Sequence, residues 1–148
     1  FGRTISTIVS CNEHTLCISN ENTVFSIGYS EDSAHGFTSK NSSSFDLSSP
    51  KMIPSLIHIK SVVSVHTHSV CLDNDGNVFT FGNNNHGQLG IGVDGETLES
   101  THIPQKVNIP PCKEVSCGCE FTICLTEDGL VYSFGNNEYG QLGIGNDY

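Results

Sequence analysis

The chain has no tryptophan, one methionine and only 6 Lys+Arg against 16 Asp+Glu. So little positive charge leaves a formal net charge of −10, which repels phosphate backbones and argues against direct nucleic-acid binding. The acidity suits a basic partner such as a Lys/Arg-rich tail, or simply keeps a sheet-rich protein in solution. Long apolar runs are also missing. None approaches the ~20 residues of a membrane span, and no amino-terminal stretch has the basic, apolar and small-residue layout of a signal peptide. Helical periodicity is absent. Apolar residues alternate with small ones in short runs bounded by turn residues, which is the pattern of strands.

What the chain does contain is a repeat. His14-Thr15-Leu16-Cys17-Ile18 followed by Thr23-Val24-Phe25-Ser26-Ile27-Gly28 returns as His68-Ser69-Val70-Cys71-Leu72 with Asn77-Val78-Phe79-Thr80-Phe81-Gly82. It returns again as Phe121-Thr122-Ile123-Cys124-Leu125 with Leu130-Val131-Tyr132-Ser133-Phe134-Gly135. Cys17, Cys71 and Cys124 lie 54 and 53 residues apart, and each precedes its glycine by 11. A period of this size means stacked units of one architecture, and such arrays usually present a surface to partners.

Each unit reads as four short antiparallel strands. The Cys-centred run and the run ending in glycine are joined by a hairpin. Asp75-Gly76 and Asp128-Gly129 are strong hairpin turns. The first unit places Asn22 there, the non-glycine residue that best tolerates positive φ. An upstream strand begins at Ile5, Ile59 and Cys112, and a short fourth element is marked by Pro50-Lys51-Met52-Ile53 and Pro104-Gln105-Lys106-Val107. Proline suits an edge strand or a strand's first residue. Neither face of the central strands is charged, so both are expected to be buried, with bulky faces fitting small ones on the next sheet. Four such strands match a propeller blade. The expected units are about 5–53, 59–107 and 112–148 of one 1–148 segment, the last blade incomplete.

Seven cysteines in a secreted chain would suggest disulfides. Equivalent residues of stacked sheets lie ~10 Å apart, too far for a bridge, so Cys17, Cys71 and Cys124 read as small buried apolar residues. Cys112, aligned with Ile5 and Ile59, also reads as core. Free thiols favour a reducing compartment, cytoplasm or nucleus.

Two units end in a longer pattern, Gly82-Asn83-Asn84-Asn85-His86-Gly87-Gln88-Leu89-Gly90 and Gly135-Asn136-Asn137-Glu138-Tyr139-Gly140-Gln141-Leu142-Gly143. Together with His14 and His68 before their hairpins, this resembles the repeat of the regulator of chromosome condensation family. The resemblance spans nearly the whole chain. It implies blades of a seven-bladed β-propeller, with about three present and the ring incomplete. It also implies an interaction scaffold or, as in the family's founding member, guanine-nucleotide exchange on a small GTPase. In other relatives the repeats regulate an attached ubiquitin ligase or kinase. In that setting Gly87, Gly90, Gly140 and Gly143 permit tight turns, Asn83 and Asn136 bond turn backbone, and Leu89 and Leu142 plug the gap between blades. A glycine-rich stretch could instead cradle phosphate, but no helix follows to receive it. The first unit departs from the pattern. It lacks Gly-Gln-Leu-Gly, and Tyr29 to Ser49 read as a variable surface loop. Phe121 stands where histidine is expected, so the histidine's hydrogen bond cannot form there. Three blades leave open ends, at which self-association through exposed faces is expected.

No chemistry-bearing constellation emerges. His66, His68, His102, Cys117 and Cys119 lack the paired spacing of a structural zinc site. Cys117-Gly118-Cys119 sits at a turn and reads as loop. No serine has an elbow motif, and the carboxylates Asp73, Asp75, Glu127 and Asp128 sit at turn tips in water, unsuited to acid–base work. Catalytic, metal and cofactor sites are accordingly not expected, and the chain reads as a non-enzyme. The leading function is protein binding through the loops between strands, with Phe37, His86 and Tyr139 as candidate contacts.

Overall fold

The computed structural model describes residues 2–28, 34–37, 48–92 and 98–145. Its strands are β1 (Ile5–Ser10), β2 (His14–Ser19), β3 (Val24–Gly28), β4 (Lys51–Met52), β5 (Ile59–Val65), β6 (His68–Asp73), β7 (Val78–Asn83), β8 (Ser100–Lys106), β9 (Cys112–Cys117), β10 (Phe121–Thr126) and β11 (Val131–Gly135). They form three antiparallel sheets, ordered β1-β2-β3-β4, β5-β6-β7-β8 and β9-β10-β11. The fourth strand of the second sheet is longer than its proline suggested. It begins at Ser100 and carries Pro104 inside it, tolerated because β8 is an edge strand.

Local sequence sets each sheet. The hairpins close where Asn22, Gly76 and Gly129 take φ of 60, 84 and 90°, a region most L-residues avoid. Register then follows in the same way in all three units, with Cys17 opposite Phe25, Cys71 opposite Phe79 and Cys124 opposite Tyr132. This pairing corrects the simple picture of a bulky face meeting a small one. The backward face of each sheet mixes a cysteine with an aromatic ring, and the forward face carries aliphatic residues.

Those two faces make the core. Leu16, Ile18 and Val24 of the first sheet pack with Ile59, Val62, Cys71 and Phe81 of the second. Val70, Leu72 and Val78 of the second pack with Cys112, Val115 and Cys124 of the third. The closest approach between sheets involves their first two strands, β5 against β1 and β2, and β9 against β5 and β6. The sheets therefore lean together along that edge and diverge towards the fourth strands.

Where no neighbouring sheet covers a face, the expectation of two buried faces fails. Val131 is 63% exposed, against 1% for its counterpart Val78, and Ile8 is 65% exposed, against 3% for Val62. All seven cysteines are free; Cys71, Cys112 and Cys124 are buried where sheets pack together, and Cys17 is buried on the backward face of the first sheet. Burial pushes the Cys124 thiol up to about 12, so it behaves as an apolar side chain.

A polar seam runs beside the apolar one. His14 Nε2 meets Ser64 Oγ of the next sheet at 3.2 Å, and that hydroxyl lies 2.9 Å from Ser69 Oγ. His68 Nε2 meets Thr122 Oγ1 of the third sheet at 2.8 Å. In the third unit Phe121 takes the histidine's place, and its ring lies so close over Gly118 that a Cβ there would collide with it.

Two outcomes follow from this packing. Leu72→Ala should cost about 2–5 kcal/mol in denaturant titrations, whereas Val131→Ala should stay within about 0.5 kcal/mol. The seam gives a pH dependence. Burial, and then the nearby His35, lower the His14 pKa from 6.5 to about 4. Burial likewise holds His68 at about 4, opposed in part by the Cys119 carbonyl. The unfolded chain, whose histidines titrate near 6.5, takes up these protons first. Stability is therefore whole above pH ~6.5, falls as the pH drops towards 4 and levels off below, by roughly 3 kcal/mol per histidine. Urea midpoints measured between pH 7.5 and 4 check this, and His68→Gln should flatten the slope by about one proton.

Candidate protein-interaction face

The strands alternate in direction, so each sheet has a hairpin end and a loop end. At the loop end lie the turns entering β2, β6 and β10 and the segments leaving β3, β7 and β11. Two of these segments fold alike, bond for bond. Asn83 Oδ1 accepts the Asn85 backbone N–H at 2.9 Å and the Gln88 amide at 3.0 Å, and Gln88 Oε1 accepts the His86 N–H at 3.0 Å. Asn84 Oδ1 accepts the Leu89 N–H at 3.0 Å. In the third unit Asn136 Oδ1 accepts from Glu138 at 2.7 Å and from Gln141 at 3.3 Å, Gln141 Oε1 accepts from Tyr139 at 2.8 Å, and Asn137 Oδ1 accepts from Leu142 at 3.0 Å. Gly87, Gly90, Gly140 and Gly143 close these turns at φ of 63–77°.

Both turns are anchored to their own sheet, and the turn of the second unit is anchored to the next sheet as well. Thr80 Oγ1 donates to the Leu89 carbonyl at 2.7 Å, and Ser133 Oγ to the Leu142 carbonyl at 2.9 Å. Thr122 Oγ1, from the following sheet, donates to the Gln88 carbonyl at 2.8 Å. Gln88 and Leu89 are fully buried, while Gln141 and Leu142, with no following sheet over them, are half-buried. Gly82 and Gly135, near the ends of β7 and β11, lie opposite His68 and Phe121.

The first unit, where the sequence predicts a surface loop, holds a degenerate copy of this turn. Ser69 Oγ donates to the Ala34 carbonyl at 2.8 Å, just as Thr122 does to Gln88. A Cβ on Gly36 would meet the Phe81 ring, as one on Gly90 would meet Phe134. Ala34 and His35 thus stand where Gln88 and Leu89 stand, and both are buried. One signal was available in the sequence. Gly36 follows Gly28 by the same 8 residues that separate Gly82 from Gly90 and Gly135 from Gly143. Residues 29–33 and 38–47 of the supposed loop, and 93–97 of the second, lie outside the described residues.

The structure separates the three candidate contacts. Tyr139 is 86% exposed at a turn tip. His86 is exposed at the equivalent tip, with its Nε2 3.6 Å from Glu120 Oε2. Phe37, by contrast, is half-buried against the core between the first two sheets, so it does not share their surface. Described carboxylates occur at both ends, Glu21, Asp73, Asp75, Glu127 and Asp128 at the hairpin end, whereas the basic residues avoid the loop end. Glu13, Glu99, Glu120 and Glu138 lie at the loop end. Arg3, Lys51, Lys60, Lys106 and Lys113, the described basic residues, lie along strands or towards the hairpin end. Among the described residues no group of three or more His, Cys, Asp or Glu could hold a metal ion, and no helix is long and apolar enough to cross a membrane. His66 sits in a turn at φ 54°, His68 in the seam, His102 on β8 and Cys117 at the end of β9, where burial pushes its thiol up to about 12.

Known proteins share this arrangement. The family model described as the Regulator of chromosome condensation (RCC1) repeat matches residues 75–125, and a second model of that description matches 59–88 and 112–141. Human Protein RCC2 is 35% identical over 154 residues, a match covering 99% of this chain and 28% of RCC2. A mouse protein named secretion-regulating guanine nucleotide exchange factor is 44% identical over 86 residues, covering 58% of this chain and 18% of that one. The chain therefore spans well under half the length of these relatives. Among solved structures, yeast RCC1 (Prp20), in a complex with Kap60, superposes with a TM-score of 0.84 at 23% identity, over 97% of this chain and 35% of that one. Human WBSCR16 superposes with a TM-score of 0.80 at 20% identity, over all of this chain and 36% of that one. At such identities the likeness establishes the fold, three neighbouring blades of a β-propeller. With the two Asn-Asn and Gly-Gln-Leu-Gly turns in register on those blades, the chain belongs to the regulator of chromosome condensation (RCC1) repeat family.

Proposed function

We propose that this segment is a non-catalytic protein-binding scaffold whose loop end receives a basic partner surface. The observation that carries the reading is the pairing of a fixed frame with variable tips. The Asn and Gln side chains of each turn are used up in holding backbone, while His86 and Tyr139, at equivalent tips, differ and face solvent. Loops held on a rigid scaffold are well suited to recognition, and an exposed aromatic ring is a common energetic anchor. Among the described residues four glutamates and no lysine or arginine lie at that end, which favours a partner of opposite charge. Seven free thiols suit a reducing compartment, cytoplasm or nucleus. Binding rather than bond chemistry is the action proposed.

A second reading, guanine-nucleotide exchange on a small GTPase, is favoured by the 44% identity to a relative named for that activity. Exchange also works by binding, so the two readings differ only in outcome. The chain should be titrated with purified small GTPases, nucleotide-free and GTP-loaded, and with a Lys/Arg-rich peptide. The scaffold reading expects saturable, salt-sensitive binding that Tyr139→Ala with Glu138→Lys weakens by about tenfold or more, at unchanged melting temperature. Accelerated release of fluorescent GDP would give the exchange reading precedence. Binding indifferent to both substitutions would remove the loop end from the mechanism.

A further inference from the structure

Because the sheets diverge outwards, an open groove of about 390 Å³ lies between the fourth strands of the first two. Phe37, Met52, Ile53, His102, Ile103 and Pro104 line it. Met52 and Ile103 are 44% and 54% exposed, more than apolar side chains need to be on a strand whose other residues are polar. His102 belongs to the same lining, and its Nε2 is buried without a hydrogen-bond partner. A buried ring nitrogen left unpaired carries a desolvation cost.

The charge around the groove runs against the rest of the molecule. The chain has 16 Asp+Glu to 6 Lys+Arg, yet β4 and β8 hold Lys51, Lys106 and His102 and no carboxylate. The groove lining has no Asp or Glu either. A lysine-rich segment would find no counterion there, whereas a segment bearing carboxylates would find two lysines, one on each flanking strand. Addition of a full extra strand is not the mode expected. β4 is only two residues long, and Pro104 interrupts the donors of β8. Recognition would rest on side chains entering the groove.

We propose that this groove between β4 and β8 docks a short aliphatic peptide segment flanked by carboxylates, on a surface separate from the acidic loop end. The two surfaces have opposite charge, so failure of either leaves the other standing.

The test uses the whole 148-residue chain, labelled with ¹⁵N, and a capped pentapeptide of glutamate, leucine, proline, leucine and glutamate. A counterpart with lysine in place of glutamate serves as the comparison. The acidic peptide should shift the amides of Met52, Ile53, Ser55, His102 and Ile103. It should bind about tenfold more tightly than the basic one. Ile103→Glu, at an exposed edge position that folding tolerates, should weaken it by about tenfold, with Met52→Glu as the second variant. Lys51→Glu with Lys106→Glu should erase the preference between the peptides. Equal binding of both peptides, shifts confined to other regions, or no shift would overturn the proposal. So would nuclear Overhauser contacts placing residues 38–47 of the same chain in the groove. A concentration-dependent mass abolished by Ile103→Glu would assign the groove to a second copy and would equally overturn it.

Discussion

The structure depends on one constraint: no sheet can bury its own forward face. Leu16, Ile18 and Val24 are covered only because Ile59 and Val62 arrive from the next sheet, and Val70, Leu72 and Val78 only because Cys112 and Val115 do. At the ends of the array the same positions carry Ile8 and Val131, both mainly exposed. Burial of roughly 25 cal/mol per Å² of apolar surface is thus shared between neighbours and cannot be assigned to a single blade. The histidine seam adds direction to that packing. Each ring reaches forward to a hydroxyl on the following sheet, so the polar contact specifies which blade follows, where the apolar contact specifies only that one does.

Local chemistry made much of the fold readable. The Asp-Gly hairpins fix strand pairing, and the strict alternation about Cys17, Cys71 and Cys124 fixes which residues share a face. The upstream strands at Ile5, Ile59 and Cys112 were visible for the same reason. Less visible was anything governed by contact between units. The pairing of Cys71 with Phe79 puts a small and a large residue on one face, a matter of register that alternation alone leaves open. The length of β8 was hidden because Pro104 marks an edge position within the strand, not its start.

The degenerate turn of the first blade shows where sequence matching stops and geometry continues. Ala34-His35-Gly36 shares one residue with Gln88-Leu89-Gly90, because only one position is constrained by close approach. Gly36 must leave room for Ile53 and Phe81. Ala34 need only offer a backbone carbonyl to Ser69, which any residue does. His35 fills the leucine's place with a ring kept neutral by burial, with His102 next in effect. The substitution costs the blade one bond: the buried hydroxyl of Ser26, whose counterpart Thr80 bonds the Leu89 carbonyl, is left without a partner.

This division between constrained and free positions also bears on function. In the second and third blades every polar side chain of the turn except those at the tip is occupied with backbone. Those side chains can contribute little to a partner without dismantling the turn. What remains available are the tips, Asn85-His86 and Glu138-Tyr139, held in register by identical bonds. A scaffold that repeats its frame and varies its tips can change partners without changing its fold, since a substitution at a tip breaks no frame bond. Recognition by such a face is set by a few side chains and their charge. That explains why the blades could be read from sequence period alone while the partner could not.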